Sequence, residues 1–350
     1  MGVAQAIQGI DPASWKVTLL PLPKRHSRGK ATGFCGGHPV GQAETARAAV
    51  SACWWPEGNA ALLELDGIKI LATGRAGGDL IPGHCRRKPS SEMSAVAWGL
   101  HGGRLAGRHL HPAEYQRSWA AAAGGGVVVG VGVPAGKLGQ RAPDVGLVWR
   151  GDAPPVVLAG EGEVQLLATD GVGVGGNIRG QAAWWPTAAG KPVMLAPEGM
   201  AMSEVHALDG EWQAGHAYKG MRARAGLWRG TAQSFVDVTP RGFETARIHA
   251  AAGGYQSGIV RRKENLSGGT PGYDDLAALW HGSADEWIDL NALLPADQYN
   301  ASAAWGMEIR DGELRICGEA SRYEVSDPGT PRESHYVPVA HPVLWTARLA

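Results

Sequence analysis

Three of the twelve histidines in this sequence sit in similar company: His101 in WGLHGG, His206 in EVHALDG and His249 in RIHAAAGG. Each follows a short apolar stretch and precedes Gly, as on the first strand of a hairpin. Imidazoles gathered from separate strands can exchange protons near neutral pH or hold a polar ligand. Trp98 in AVAWG and Trp305 in SAAWG occupy matching places and would supply flat apolar walls for stacking, with Glu204, Arg247 and Glu308 in the same strands. The candidate ligand-binding set is therefore Trp98, His101, Glu204, Arg247 and Trp305, and the candidate acid–base groups are His206, His249 and Glu308. The competing reading of each residue is plain structure: histidines bonded to loop backbones and tryptophans packed between sheets.

Linear motifs add little. There is no GxSxG, HExxH, P-loop or calcium-type DxDxDG, and GVGVGG at 171–176 lacks the helix and acidic residue of a dinucleotide site, so it reads as a turn and a strand. The expectation is no cofactor and no metal. His109 and His111 in RHLHP have an i,i+2 spacing that suits a metal on a strand face, but they read as a solvated loop. Lys24, Arg25, His26, Arg28 and Lys30 form a short basic run that also reads as a solvated loop.

Candidate residues so far apart can meet only if the fold brings repeated elements to one axis. A repeat is present. Small-residue strands, Gly turns and a closing apolar pair with Trp recur up to Trp55, Trp119, Trp149, Trp185, Trp228, Trp280 and Trp345. The mean spacing of about 48 residues matches a four-stranded propeller blade. Short runs after Trp185, Trp228 and Trp280 (KPVMLAP, SFVDVTP, EWIDLNALLP) supply a fourth strand. Turn glycines such as Gly210 and Gly312 follow Asp, favouring a tight hairpin, and a second Gly (Gly41, Gly107, Gly215, Gly258, Gly318) sits inside the next strand, where a close backbone approach or a bulge is expected.

The stretch 14–23, SWKVTLLPLP, matches the fourth strand, whereas the chain closes on HPVLW, the third. One seven-bladed all-β propeller spanning residues 1–350 follows, its last blade completed by the N-terminal strand; closure removes exposed sheet edges. A sandwich or open solenoid is the runner-up. The Ala-rich segments 42–52 and 112–123 score as helix, but the repeat requires a loop and a closing strand there. Segments 74–93, 261–275 and 321–339 read as long loops.

Charge and composition narrow the partners. The 33 basic and 33 acidic side chains cancel, so nucleic acid is not expected. With 52 Gly and 14 Trp, the chain reads as globular, with many short elements. No secretory signal or membrane span is visible, and Cys35, Cys53, Cys85 and Cys317 show no paired spacing, so a soluble, cytoplasmic monomer with reduced thiols is expected; a Cys35–Cys53 bridge is the alternative.

The stretch 277–320, beginning AALWHGSADEWIDLNALLPADQYN, together with HPVLW, resembles the bacterial HAF-repeat family, whose units pair a His-Ala-x-x-Trp strand with Asp-Leu-Asn and Gly-Glu-x-x-Gly elements. The likeness is best over 276–345, fair over 181–276 and weak before that; His341 alone occupies the family's His, with Pro342 in place of Ala. The resemblance implies a propeller-like fold and no defined activity. Function then divides between a binding scaffold for a small molecule, glycan or protein at the channel mouth, and an enzyme (hydrolase, lyase or cyclase) with a His/Glu site there. Convergence of the candidates at one mouth would favour catalysis, and an apolar plug would favour the scaffold.

Overall fold

The computed structural model describes residues 7–86, 92–135, 142–158, 160–262, 275–322 and 339–350. It is a seven-bladed β-propeller of antiparallel sheets. Blade 1 runs outward from His26–Cys35 through His38–Thr45 and Val50–Trp54 to Ala61–Leu62. Blade 2 follows with Ile68–Thr73, Leu80–Cys85, Ser94–His101 and Arg104–His109, and its inner strand also pairs with Glu64–Leu65. Blades 3 to 6 begin on the inner strands Tyr115–Gly124, Val164–Thr169, Met202–Asp209 and Phe243–Ala252. Blade 7 takes Ala301–Arg310, Glu313–Arg322 and Val339–Arg348 from the C-terminal end and Lys16–Leu19 from the N-terminal end. The ring therefore closes by pairing Lys16 with Thr346 through Leu19 with Val343, as the sequence implies. Among the described residues no helix is long and apolar enough to cross a membrane.

Each third strand carries a large buried tryptophan on it or, in blade 1, directly after it, and register shows that the seven are equivalent. Gly41, Gly83, Gly130, Gly176, Gly215, Gly258 and Gly318 on the second strands face Cys53, Val96, Leu147, Ala183, Gly226, Ala278 and Val343, and the Trp lies two residues further on in every case. The set is thus Trp55, Trp98, Trp149, Trp185, Trp228, Trp280 and Trp345, all buried in the cores between adjacent blades. Burying such a side chain is the main local driving force for stacking one sheet on the next.

Blade 2 corrects the sequence reading. Trp119 lies on the inner strand of blade 3, and the closing residue of blade 2 is Trp98. Gly83, not Gly107, is its second-strand glycine. The segment 74–93 is not one long loop, because Leu80–Cys85 is a strand; Pro82 and Gly83 disguise it. The basic run at 24–30 is likewise no solvated loop from His26 onward, since His26–Cys35 is the inner strand of blade 1. The Ala-rich segment 112–123 forms most of the inner strand Tyr115–Gly124, and 42–52 spans parts of two strands of blade 1. The centres of the other two expected loops, 263–274 and 323–338, lie outside the described residues. The four cysteines are buried thiols; Cys35 and Cys53 belong to different inter-blade cores and form no bridge.

The closing tryptophans differ in one respect that can be measured. Trp345 Nε1 donates to the Leu290 carbonyl (3.1 Å), whereas Trp280 Nε1 is buried with no partner. Trp345→Phe should therefore destabilise by about 1 kcal/mol more than Trp280→Phe, the value of a lost hydrogen bond, as read from urea unfolding midpoints.

Candidate functional site

The inner strands are not regular. In six blades the residue that follows the partner of the second-strand glycine is skipped by the register: Thr32, Ala121, Leu167, His206, His249 and Trp305. These β-bulges lie at one height around the axis. The glycine opposite is obligatory, because a Cβ on Gly215 would lie 2.0 Å from the Glu204 carbonyl oxygen and one on Gly258 would lie 1.9 Å from that of Arg247. Five of the six bulged residues line a cavity of about 250 Å³ at one end of the channel, together with Lys30 and Arg75.

Blade 2 contributes differently. Its inner strand ends at Thr73, and Arg75 bridges in parallel to Ala122 of blade 3. The Arg75 guanidinium crosses toward blade 5, where Nη1 donates to the His206 carbonyl and Nη2 lies 3.4 Å from His206 Nδ1. Arg75 and His206 also line a second cavity of about 180 Å³ walled by small groups beyond the bulges, such as Ala123, Ala168, Ala207 and Ala250. Arg75 is therefore a polar plug dividing the channel. Burial pushes this guanidinium down to about 10, which leaves it charged at neutral pH.

One continuous band of rings follows. Tyr218 meets His216 edge-on (5.3 Å), His216 stacks on His206 (5.0 Å, 17°), His206 meets His249 (6.4 Å, 75°), and His249 stacks on Trp305 (4.3 Å, 16°). Lys30 Nζ sits 4.9 Å over the Trp305 ring, a cation–π contact. Carboxylates and amides hold the band from behind. Glu204 Oε2 lies 2.9 Å from His206 Nε2 and 3.6 Å from His216 Nε2, while Asn177 Nδ2 donates to Glu204 Oε1 (3.2 Å). Trp305 Nε1 donates to Glu319 (3.3 Å), and Arg247 Nη2 donates to the Tyr218 hydroxyl (2.7 Å).

The electrostatics favour neutral imidazoles. Burial, reinforced by the Arg75 and Arg247 charges, pushes His206 down to about 3. Burial does the same to His216, also to about 3, with His206 adding to the effect and Glu204 opposing it. His249 is held well below its ordinary value, again chiefly by burial. The contacts agree: His206 faces the donor-only Arg75 at Nδ1 and Glu204 at Nε2, so its proton is on Nε2, whereas His249 donates from Nδ1 to the Ala304 carbonyl (2.8 Å). Burial raises the Glu319 carboxyl, with Lys30 pulling it back.

Of the candidates read from sequence, Glu204, His206, Arg247, His249 and Trp305 are brought together, and three are not. Trp98 does not match Trp305: it is a closing tryptophan in an inter-blade core, with Nε1 bonded to the Glu64 carbonyl (3.3 Å). His101 is exposed at the far end of the third strand of blade 2. Both were displaced because a strand, a Gly-Gly turn and a strand look alike whichever pair of a blade they form. Glu308 lies beyond the bulge and is held by Arg315 (2.7 Å) on the side facing blade 1. His109 and His111 do not converge either; they contact Asp66 (3.0 Å) and Ser118 (2.7 Å). Sequence reasoning missed Lys30, Arg75, His216, Tyr218 and Glu319. A signal did exist for two of them: His216 and Glu319 directly follow the close-approach glycines Gly215 and Gly318, as Gln42 and Asn177 follow theirs.

No protein-family model matches the chain, and no curated protein matches it. Solved structures do. A prolyl endopeptidase structure aligns over 85% of this chain with a TM-score of 0.53 and 12% identity. A puromycin-hydrolyzing peptidase from Mycobacterium tuberculosis aligns over 91% (TM-score 0.44, 14% identity), and Sqt1 from Chaetomium thermophilum over 97% (TM-score 0.45, 11% identity). This chain spans 46% of the prolyl endopeptidase and 61% of the mycobacterial peptidase. At these identities the likeness is one of fold.

Neutral buried histidines make the fold acid-sensitive with a definite sign. Their folded-state values lie below the ordinary 6.5, so their contribution is complete above pH 6.5 and is lost as pH falls toward about 3. Each costs up to about 1.4 kcal/mol per pH unit in that window. His249→Gln, which keeps a donor for Ala304 but cannot titrate, should flatten the fall of melting temperature between pH 6.5 and 4.5.

Proposed function

We propose that the chain is a binding propeller whose channel mouth takes a small polar ligand with an anionic group. The observation that carries this reading is the convergence of bulged residues from five blades on one cavity, walled by Trp305 and His206 and closed below by Arg75. A concave site with few directed polar groups and an aromatic wall is the common form of a small-molecule site. Arg247 adds a donor without a protein acceptor: its Nε is buried and unpaired. Lys30, Arg75 and Arg247 outnumber Glu204 and Glu319 around the mouth, and a carboxylate or phosphate would offset that excess. The cavity of about 250 Å³ suits a metabolite-sized group better than a protein surface. The likeness to HAF repeats at 276–345 is compatible with this reading and assigns it no chemistry.

An enzyme is the second reading, favoured by the convergence of His206 and His249 in the channel and by the 2.9 Å contact of Glu204 with His206. A carboxylate that orients a neutral imidazole is the usual support of a general base. His206 and His249 would serve as the proton-handling groups; Glu308, engaged by Arg315, would not.

Thermal-shift screening of small carboxylates, phosphates and sugars in metal-free buffer tests the binding reading. Acidic ligands should raise the melting temperature, and Arg247→Ala and Trp305→Ala should each weaken the best of them more than tenfold. A panel without hits, or hits indifferent to both changes, contradicts it. Turnover of a hit that is lost in His206→Ala would replace binding by catalysis.

A further inference from the structure

The side chain least explained by the fold is His216. It is 5% exposed, its Nδ1 is buried without a partner, and its Nε2 lies 3.6 Å from Glu204, too long for a hydrogen bond. A buried imidazole with neither nitrogen satisfied is costly, and such groups need a reason. A reason is at hand in its neighbours. Glu204 and His216 are direct partners across two adjacent strands, and His206 is two residues beyond Glu204 on the same strand, at the bulge. One ligand atom from each of Glu204, His206 and His216 lies within 4.8 Å of the other two.

We propose that Glu204, His206 and His216 bind a divalent first-row transition metal ion, zinc foremost, with an open coordination position toward the channel cavity. The donor set, two imidazoles and one carboxylate, is that of open zinc sites. Ligand atoms at zinc bond lengths of about 2.0–2.1 Å in a tetrahedral shell stand about 3.3 Å apart. The Glu204–His206 and Glu204–His216 separations of 2.9 and 3.6 Å bracket that value, and the two imidazoles, whose ligand atoms lie within 4.8 Å, would turn toward each other to complete the set. Neutral imidazoles are the ligating form, and the Asn177 bond to Glu204 Oε1 holds the carboxylate with Oε2 toward both histidines. The sequence holds no linear metal motif because the spacing is supplied by strand register.

Binding has a definite cost at His206. Its Nε2 must give up its proton to ligate, the proton moves to Nδ1, and Nδ1 then confronts Arg75 Nη2. The metal and the two nearby arginines together favour an anionic group in the open position. The proposal rests on the mouth being a binding site only for that last ligand; metal binding is measured without it.

The test is titration of chelator-treated full-length protein with Zn2+ alone by calorimetry, and with Co2+ by visible absorption. One ion per chain should bind, with the intense d–d bands of a four- or five-coordinate cobalt site. Glu204→Gln and His216→Ala should each weaken binding at least tenfold, Arg75→Met should strengthen it, and His109→Ala should leave it unchanged. If a variant fails to fold, anomalous diffraction at the zinc edge on crystals of the unmodified protein decides between these residues and any others. Absence of stoichiometric binding, binding retained within threefold in both ligand variants, or anomalous density elsewhere overturns the site. Failure here leaves the metal-free ligand screen standing, and failure of that screen leaves the metal titration standing.

Discussion

The channel depends on a single short-range constraint: in every blade, a second-strand glycine lies against the carbonyl of the inner strand at a distance that admits no Cβ. In six blades that approach goes with one extra residue on the inner strand, whose side chain is free of the pleat. The same glycine fixes the third-strand tryptophan two residues beyond its partner, so packing between blades and aim into the channel are set by one position. Steric exclusion at a backbone contact thus organises chemistry that is spread over most of the chain.

The bulged residues are chemically unequal, and this gives the ring its asymmetry. Blades 1, 3 and 4 offer Thr32, Ala121 and Leu167, small or apolar, while blades 5, 6 and 7 offer His206, His249 and Trp305. Blade 2 breaks the pattern and sends Arg75 across the axis to the polar side. The result is a polar half and a bland half at the same height, closed beneath by a charge. An apolar plug would mark an inert scaffold; here the plug is a charge in contact with the backbone and ring of a histidine.

The fold was legible in the sequence for a physical reason: burying one Trp per blade imposes a spacing that survives divergent loops, and an N-terminal strand left over at one end matches a strand missing at the other. The misassignment of the closing tryptophans was confined to blade 2, where Trp119 stood in for Trp98 because Leu80–Cys85 carries a Pro and a Gly and has no strand signature. Five of the eight candidate site residues could be found because they lie on inner strands beside recognisable hairpins. Lys30 was hidden in a polar run, and Arg75 in an irregular segment, since no periodicity marks a residue aimed by a broken strand. His216 is marked in sequence by following Gly215, but its place opposite Glu204 comes from the pairing register, which no single-strand pattern contains.

The close approach of Gly258 to the Arg247 carbonyl is the most direct place to test the account, against Gly220, a left-handed turn glycine with open space around its Cβ position. Gly258→Ala should lower the unfolding free energy in urea by about 2 kcal/mol more than Gly220→Ala, whose new methyl meets nothing within 4 Å and costs only its left-handed backbone. Equal losses at the two positions would contradict the claim that this contact shapes the inner strands and, with them, the channel.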